Sequence, residues 1–454
     1  MAKKKKKKFK LITSRNIGII ITLIIALYYL RFEPPIIQLA ERKIYDYKVR
    51  SRGVRKVSDN VVIIGIDDKS VAALEGKYPI NRGYVGECIN ILTSYYKPKV
   101  IGLDFVYPAP ADPDGDAYFG QHVAFAKNVV FGTIFSFDPD VDVDYTVETS
   151  TALRFQTRSS IITEYGFRQY KKYFIKATDC LMNIPDVCYG AAGFGFVNVI
   201  QDSDGPIREA PMVIYFQDQY FPSFDVEIAR LYFDVPQDEV YIRPGLGLSI
   251  GKNIFLPTNK NMNFLINYYG PHKTFKYYSF IDIMSKQVDK KDIEGKIVIF
   301  GVSGTAMTDM QTTPFSTEEA ANLPGIEIHA NILESIINDD FYLESSSTFF
   351  EMIEFLVLIL FGVIIIIIIS KTNLIGSFVF TGVFTFFYFL ISQILFKKYG
   401  LILQSVFPVM LVIMVYISVT MYKYIIEEHE KRHIKKAFAQ YLSPNVMKEV
   451  LDNP

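Results

Sequence analysis

The positions of long apolar runs constrain this 454-residue chain more than any other feature. One run covers residues 17–32, and three more cover residues 349–370, 374–396 and 401–421. A helix of about 20 apolar residues crosses the hydrocarbon core of a bilayer. The three C-terminal runs reach this length, and the N-terminal run approaches it. The pattern predicts four transmembrane α-helices and one large domain, residues 33–347, outside the membrane.

Basic residues at the ends of these runs predict the side of the membrane. Residues 1–16 contain a lysine block before the first run, and five basic residues lie between positions 423 and 436. Because cytoplasmic flanks carry an excess of Lys and Arg, both termini are expected in the cytoplasm. Lys397 and Lys398, in a turn expected outside, disagree mildly. We therefore expect a multi-pass protein of the inner (cell) membrane with an extracytoplasmic central domain.

The sequence also indicates whether the first run is cleaved and which kinds of partner the chain has. The sequence RFEPP after the first run lacks a small-x-small cleavage site, which favours an uncleaved anchor over a signal peptide. The formal net charge is zero, so no nucleic-acid partner is predicted, and membrane lipid is the expected neighbour. No ionisable residue lies in the middle of an apolar run, which argues against a transporter or channel.

The central segment alternates apolar strand and helix patterns. VVIIGI at 61–66 and VIGLDF at 100–105 flank an amphipathic pattern at 84–96, which predicts a parallel strand pair with a right-handed crossover. KIVIFGV at 296–302 precedes a second amphipathic pattern at 325–337. The stretch between these ends contains short aromatic strands and turns. We predict one α/β extracytoplasmic domain, with a mixed sheet and a β-rich insertion, plus four transmembrane helices.

Four aspartates are candidate ligand-binding residues. Asp67 and Asp104 follow predicted parallel strands, and ligands of open α/β sheets bind at the carboxyl ends of such strands. With Asp68 and Asp309 they could hold a cation or a polar ligand. The competing interpretation is that strand-end aspartates cap the helices that follow.

Other acidic runs and the cysteines give weaker signals. DPDGD at 112–116 begins like a calcium loop, but the chain has alanine at 117 and valine at 123 where the pattern needs Gly and Glu. DSDG at 202–205 is better interpreted as a turn. Cys88 is expected to be a buried apolar residue. Cys180 and Cys188 either pair in an oxidising compartment or remain thiols.

A zinc-protease motif occurs near the C-terminus. His429, Glu430 and His433 match H-E-x-x-H, in which two histidines hold zinc and the glutamate acts as base. The surrounding helix is charged on all sides, whereas zinc catalysis needs a shaped cavity. The competing interpretation is a solvated helix with i,i+4 ion pairs. These pairs are Glu427–Lys431 and Glu428–Arg432. We predict no metal ligand and assign these four charged residues, together with Ser443 and Pro444, to signal relay.

Several motifs occur in the order found in type-2 CHASE domains, which are extracytoplasmic sensor modules of bacterial cyclases and kinases. They include ERKIYDYKVRSR at 41–52, VVIIGIDDKSVAAL at 61–74, VIGLDFVYPAP at 100–110, GFGFVNVIQDSDGPIR at 193–208 and LPGIEIHANIL at 323–333. The resemblance covers residues 33–347 and implies a sensor for an unidentified external signal. One departure is Ile80, where many members carry tryptophan.

The tail, residues 422–454, resembles a second family. IKKAFAQYLSPNVMKEVL at 434–451 is similar to the entry of class III adenylate and guanylate cyclase domains. Ser443 is a good N-cap with Pro444 at the first helical position. The resemblance implies a homodimer and a cyclase domain beyond Pro454 that uses Mg²⁺ and ATP or GTP. No catalytic residue and no cofactor are predicted within these 454 residues.

The sequence therefore predicts the sensor and transmembrane portion of a bacterial adenylate or guanylate cyclase-type receptor. Two alternatives remain. One is a stand-alone membrane binding protein whose tail recruits a separate effector. The other is the zinc metalloprotease. The sequence identifies neither the stimulus nor the cyclised nucleotide.

Overall fold

The structure is a computed structural model that describes residues 13–32, 34–74, 76, 78–138, 153–154, 157–163, 171–304, 310–317, 322–344 and 348–438. The chain forms two compact units. The terminal unit comprises Met1–Ile44 and Thr348–Pro454, and the central unit comprises Tyr45–Ser347. The predicted positions Asp309, Ser443 and Pro444 lie outside the described residues.

Helices occur in both units. In chain order, the described α-helices are α1 Ser14–Arg31, α2 Pro35–Arg52, α3 Asp68–Ala73, α4 Arg82–Ile91, α5 Pro113–Ala126, α6 Pro185–Cys188, α7 Phe224–Tyr232, α8 Phe280–Met284, α9 Gly325–Ile337, α10 Thr348–Lys371, α11 Leu374–Tyr399 and α12 Val406–Phe438. A π-helical turn, Leu92–Tyr96, continues α4. The predicted amphipathic helix at 84–96 is thus an α-helix with a wider last turn.

Strands are concentrated in the central unit. They are β1 Val61–Ile66, β2 Val100–Leu103, β3 Val129–Ser136, β4 Ile162–Thr163, β5 Ile175–Lys176, β6 Asp179–Leu181, β7 Gly193–Phe196, β8 Glu209–Pro211, β9 Val213–Phe216, β10 Gln219–Pro222, β11 Val240–Arg243, β12 Gly247–Ile250, β13 Ile254–Pro257, β14 Asn263–Leu265, β15 Lys276–Ser279, β16 Ile297–Val302, β17 Met310–Gln311, β18 Leu323–Pro324, β19 Leu343–Glu344 and β20 Leu401–Ile402. Most are four residues or shorter; β1, β3 and β16 are longer.

Among the described residues, four helices of the terminal unit are long and apolar enough to cross a membrane. The qualifying segments are Ser14–Arg31, Met352–Lys371, Leu374–Tyr399 and Val406–Ile426. They overlap the four predicted apolar runs, but the last helix begins at Val406 and not at residue 401, because Leu401–Ile402 form β20. Helix α1 packs against both α10 and α12. Small residues let these helices approach closely. At Gly362, for example, a β-carbon would lie only 2.2 Å from the Thr22 methyl group, which leaves no room for a side chain.

The central unit is built on a mixed seven-stranded sheet. The strand order is β15-β1-β16-β2-β3-β6, and β7 also pairs with β3. Only β6 runs antiparallel to its neighbour in this sheet. The predicted α/β domain with a mixed sheet is therefore confirmed. Its core strands come from both ends of the segment, so the domain folds as one unit.

The predicted β1–β2 pair is wrong in detail, because β16 lies between these strands. Ile63 pairs in register with Ile299, and Ile299 pairs with Gly102. The first five residues of β16 are buried, and a central position lets parallel neighbours and helices cover such an apolar strand on both faces. β1 and β2 keep the predicted parallel direction but are not adjacent.

Helices cover both faces of this sheet. Helices α4, α5 and α8 join the hydrophobic cluster that contains Val62, Ile64 and Leu103. Helix α7 packs on the other face of β2, where a β-carbon on Gly102 would lie 2.4 Å from Ile228 Cδ1. The glycine is therefore required by the close approach of α7.

The β-rich insertion forms three small sheets. Their strand orders are β10-β9-β5, β13-β12-β11-β4 and β14-β8. All three cysteines lie in the described part of the central unit as buried thiols, and they form no disulfide. Cys88 lies on α4 as expected. Of the two alternatives for Cys180 and Cys188, the structure has the thiols.

Candidate functional site

Asp67 forms the structural cap that the competing interpretation expects. Its carboxylate accepts hydrogen bonds from the Ser70 N–H at 2.8 Å, the Ser70 hydroxyl at 2.5 Å and the Ser279 hydroxyl at 2.8 Å. Asp68 is the first residue of α3. The interactions of Asp67 thus join α3 to β15 at the carboxyl edge of the sheet. A ligand role for either aspartate remains a prediction.

Asp104 lies in a different polar cluster on the α7 and α9 side of the sheet. It is partly buried, and desolvation raises the pKa of its carboxyl group. The charges of His329 on α9 and Asp225 on α7 also act on it. His329 Nδ1 lies 3.0 and 3.1 Å from the two carboxylate oxygens of Asp225. Because β16 separates β1 from β2, Asp67 and Asp104 follow strands that are not neighbours.

His329 and Asp225 were not candidates in the sequence, and both are buried. Burial alone would lower the pKa of His329, but the charge and hydrogen bond of Asp225 and the charge of Asp104 raise it to about 9. His329 is therefore a cation at neutral pH. The available signal was a histidine between Ile328 and Ala330 in the amphipathic pattern of α9.

Other buried charges in the central unit are also satisfied by several partners. Glu327 accepts hydrogen bonds from the N–H groups of Lys273 and Thr274 and from the Tyr277 hydroxyl, at 2.9–3.1 Å. His272 Nδ1 lies 2.8 Å from the same carboxylate. Glu227 binds Arg230 through two contacts of 2.7 and 3.0 Å. Such networks fix side-chain geometry, because a buried charge is costly without partners.

The acidic run at 202–205 has a structural role. The guanidinium of Arg208 donates hydrogen bonds to Asp202 at 2.6 Å, to Asp204 at 2.8 and 2.9 Å, and to Asp46 through two bonds of 2.8 Å. The N–H of Gly205 donates to the carbonyl of Asp202, as the turn interpretation expects. These carboxylates therefore join the insertion to α2.

A cavity of about 970 Å³ opens at the carboxyl ends of β1 and β2. This is the edge at which ligands of open α/β sheets bind. Residues from β1, from the segment before α4, from α4 itself, from the segment after β2 and from α5 surround it. The lining includes Ile66, Tyr78, Ile80, Asn81, Arg82, Tyr84, Glu87, Phe105, Tyr107, Asp112 and Tyr118. The predicted location thus contains a cavity, although the three candidate aspartates that the structure describes, Asp67, Asp68 and Asp104, are not in its lining.

Arg82 organises one wall of this cavity. Its guanidinium donates to Asp116 at 2.8 Å and to the carbonyl of Ala109 at 2.7 Å, and it lies 4.8 Å from the centroid of the Tyr107 ring. The N–H of Ala111 also donates to Asp116, at 3.0 Å. These contacts fix the segment between β2 and α5. Two aspartates of the rejected calcium loop therefore have structural roles: Asp112 caps α5, and Asp116 binds Arg82.

In the terminal unit, Glu41 of α2 caps another helix. One oxygen of its carboxylate accepts hydrogen bonds from the N–H groups of Ser405 and Val406 at 2.7 and 2.6 Å. Val406 is the first residue of α12. The N–H groups of a first helical turn lack partners within the helix, and a carboxylate also complements the helix dipole. Glu41 therefore fixes where α12 begins.

Replacing Glu41 with alanine is expected to destabilise the terminal unit by about 0.5–2 kcal/mol, because two N–H groups lose their acceptor. Glu41→Gln keeps an acceptor oxygen and should retain more of the stability. Thermal unfolding of the full chain in detergent, followed by helical circular dichroism, measures both. Equal losses for the two variants would contradict this role.

The predicted relay segment lies in α12, which extends from Val406 to Phe438. Arg432 Nε donates to Glu428 at 3.3 Å, so this predicted ion pair is present. Glu427, Lys431, Glu430 and His433 are in the helix, but their side chains lie outside the described set. Within the described residues, no group of three His, Cys, Asp or Glu side chains could hold a metal ion.

Family comparison gives one match. The CHASE2 domain family matches residues 19–364, a range that begins within α1 and ends within α10. It therefore extends beyond the predicted 33–347 into the flanking membrane-length helices. No curated protein and no solved structure matches the chain. Since the match covers most of the sequence and a mixed α/β fold accompanies it, this chain belongs to the CHASE2 sensor-domain family.

Proposed function

We propose that this protein is the sensor and transmembrane input portion of a receptor that passes an external signal to a cytoplasmic adenylate or guanylate cyclase. The observation that carries the proposal is the continuity of α12. Its membrane-length part ends at Ile426, and the helix continues to Phe438 without interruption. A continuous helix transmits rotation or displacement from the membrane to the segment that resembles a cyclase entry.

The contacts of helix α2 support the proposed relay of a signal. Its residues through Ile44 belong to the terminal unit, and those from Tyr45 onward belong to the central unit. In the central unit, Asp46 binds Arg208, and the Arg52 guanidinium contacts Asn267 at 2.7 Å. In the terminal unit, Glu41 caps α12. A displacement of α2 would therefore affect the start of the relay helix.

The proposed orientation follows from the basic flanks of the apolar runs. Both termini would lie in the cytoplasm and the central unit outside the inner membrane. The resemblance of the tail implies a homodimer, because cyclase active sites form between two catalytic domains. Mg²⁺ and ATP or GTP would then be required only by that catalytic domain.

A direct test compares the chain with its full coding region. The gene is read past codon 454, and membranes containing either product are assayed for cyclic AMP and cyclic GMP. We expect a cyclase domain in frame, cyclic nucleotide from the longer product and none from residues 1–454. Cyclic nucleotide from residues 1–454 alone would overturn the proposal. An immediate stop codon would instead favour the alternative in which the tail recruits a separate effector.

A further inference from the structure

The cavity at the carboxyl ends of β1 and β2 has the size of a small-molecule site. Its volume of about 970 Å³ lies near the upper end of the range of ligand pockets, roughly 300–1,000 Å³. The side chains that surround it come from separate segments of the central unit. The aromatic and charged groups of these side chains therefore indicate which class of ligand fits the cavity.

Four tyrosines contribute to the lining: Tyr78, Tyr84, Tyr107 and Tyr118. Tyr78, Tyr84 and Tyr118 are 44, 36 and 38% exposed, so parts of their rings are accessible to a ligand. Tyr107 already has a cation against its ring, the guanidinium of Arg82 at 4.8 Å. Faces of aromatic rings attract cations through the ring quadrupole. The aromatic composition therefore favours a positively charged ligand.

The charges of the lining agree with this preference. Among the described lining residues, Arg82 is the only cation, and Glu87 and Asp112 are carboxylates. Together these three residues carry a formal net charge of −1. The charge of Arg82 is already balanced by Asp116, which is outside the lining. The charges of the described lining therefore favour a bound cation over a bound anion.

The two carboxylates have neutral hydrogen-bond donors around them. Glu87 accepts from the Tyr118 hydroxyl at 2.5 Å, and Asp112 accepts from the Gly115 N–H at 3.2 Å. Neutral donors orient a carboxylate without cancelling its charge. The Tyr118 contact also places a carboxylate next to an accessible ring, which is the combination that binds an organic ammonium group.

We propose that this cavity binds a small organic cation, namely an amine or quaternary ammonium compound, as the signal of the receptor. The inference rests on the proposed sensor function. Tyr118 and Tyr84 contact the cationic group, Glu87 and Asp112 supply the compensating charge, and Ile66 and Phe105 contact the apolar part of the ligand.

The chain contains no tryptophan, so one introduced indole reports on the cavity alone. The full chain carrying Ile80→Trp is purified in dodecyl maltoside, without phosphatidylcholine, and titrated with choline and benzyltrimethylammonium. 3,3-Dimethylbutan-1-ol is the uncharged isostere of choline, and benzoate tests an anion. We expect saturable fluorescence changes with the cations and none with the other two compounds. No saturation with either cation, or equal saturation with the isostere, would overturn the proposal.

A second pair of variants tests the residues themselves. In the Ile80→Trp background, Tyr118→Leu should weaken choline binding by about 2- to 30-fold, the range of a cation–ring contact. Tyr95→Leu is the matched control, because Tyr95 is similarly exposed, at 40%, and is not in the lining. Unchanged affinity in Tyr118→Leu, or the same loss in Tyr95→Leu, would contradict the assignment.

The same assay distinguishes a lipid headgroup from a free compound as the source of the cation. Dihexanoyl phosphatidylcholine presents the same quaternary ammonium on a lipid, and tighter saturation than with choline would assign the signal to a lipid headgroup. Tighter saturation with choline would assign it to a free compound. Failure of both probes would leave the cyclic-nucleotide assay unaffected, so the two proposals fail independently.

Discussion

Replacing Arg208 with alanine is expected to destabilise the central unit by about 3–5 kcal/mol, the cost of breaking a buried ion pair. Asp46 is 4% exposed and would lose both of its 2.8 Å contacts with the guanidinium. Asp202 and Asp204 would lose theirs as well. Three carboxylates would then repel one another close to buried surface. Because α2 and the insertion meet at this cluster, the effect should extend beyond the turn.

Urea unfolding of the full chain in detergent, followed by circular dichroism, measures this loss. Arg208→Lys should recover only part of the stability, because an ammonium group cannot form several bidentate contacts. Arg243→Ala is the matched control at an exposed position, where about 0.5 kcal/mol or less is expected. A loss at Arg208 no larger than that at Arg243 would refute the structural role of the cluster.

The ion pair between His329 and Asp225 is expected to make the stability of the central unit fall at alkaline pH. The folded-state pKa of His329 is about 9, above its ordinary value of 6.5. A group whose pKa is raised by folding contributes its full stabilisation below its unfolded-state pKa. This contribution is lost as the pH rises through the folded-state pKa. The contribution should therefore be complete below about pH 6.5 and absent above about pH 9. Its size is about 3 kcal/mol at most, from about 1.4 kcal/mol per unit of pKa difference.

Asp225→Asn tests this directly, because it removes the carboxylate that raises the pKa of His329 and keeps the size of the side chain. Unfolding midpoints of the full chain are compared at several values between pH 6 and pH 10. The unmodified chain should lose stability steadily over this window, and the variant should start lower and change less. Parallel pH profiles would contradict the ion pair. Asp104 also interacts electrostatically with His329, and burial raises the pKa of its carboxyl group.

The sequence predicted the apolar elements of the fold because buried strands and helices have recognisable local patterns of apolar residues. β1, β2 and β16 are short β-branched runs, and the membrane-length helices are long apolar ones. The order of the strands was not predictable, because the pairing of Ile63 with Ile299 joins two ends of the central segment. Local patterns specify which residues are buried, and tertiary pairing decides which strands become neighbours.

The candidate site was predicted by location and not by residue. The carboxyl edge of the sheet contains the cavity, but its tyrosines were not distinguished from other aromatic residues of the chain. Asp225 looks like any acidic residue in the first turn of a helix, and its contact with His329 joins positions far apart in sequence. Likewise, the acidic turn before Arg208 was predicted as a turn, but the contacts of its carboxylates with the guanidinium were not predicted. Buried polar partners are recognisable only after folding brings them together.

The position of β16 between β1 and β2 has a consequence for biogenesis. β2 ends at Leu103, and the strand that fills the gap beside it begins only at Ile297. During synthesis, both earlier strands must remain without their shared neighbour until the chain has emerged past Val302. Throughout that interval they present open hydrogen-bonding edges, which are sites of aggregation. Truncations before Val302 are therefore expected to accumulate as insoluble protein.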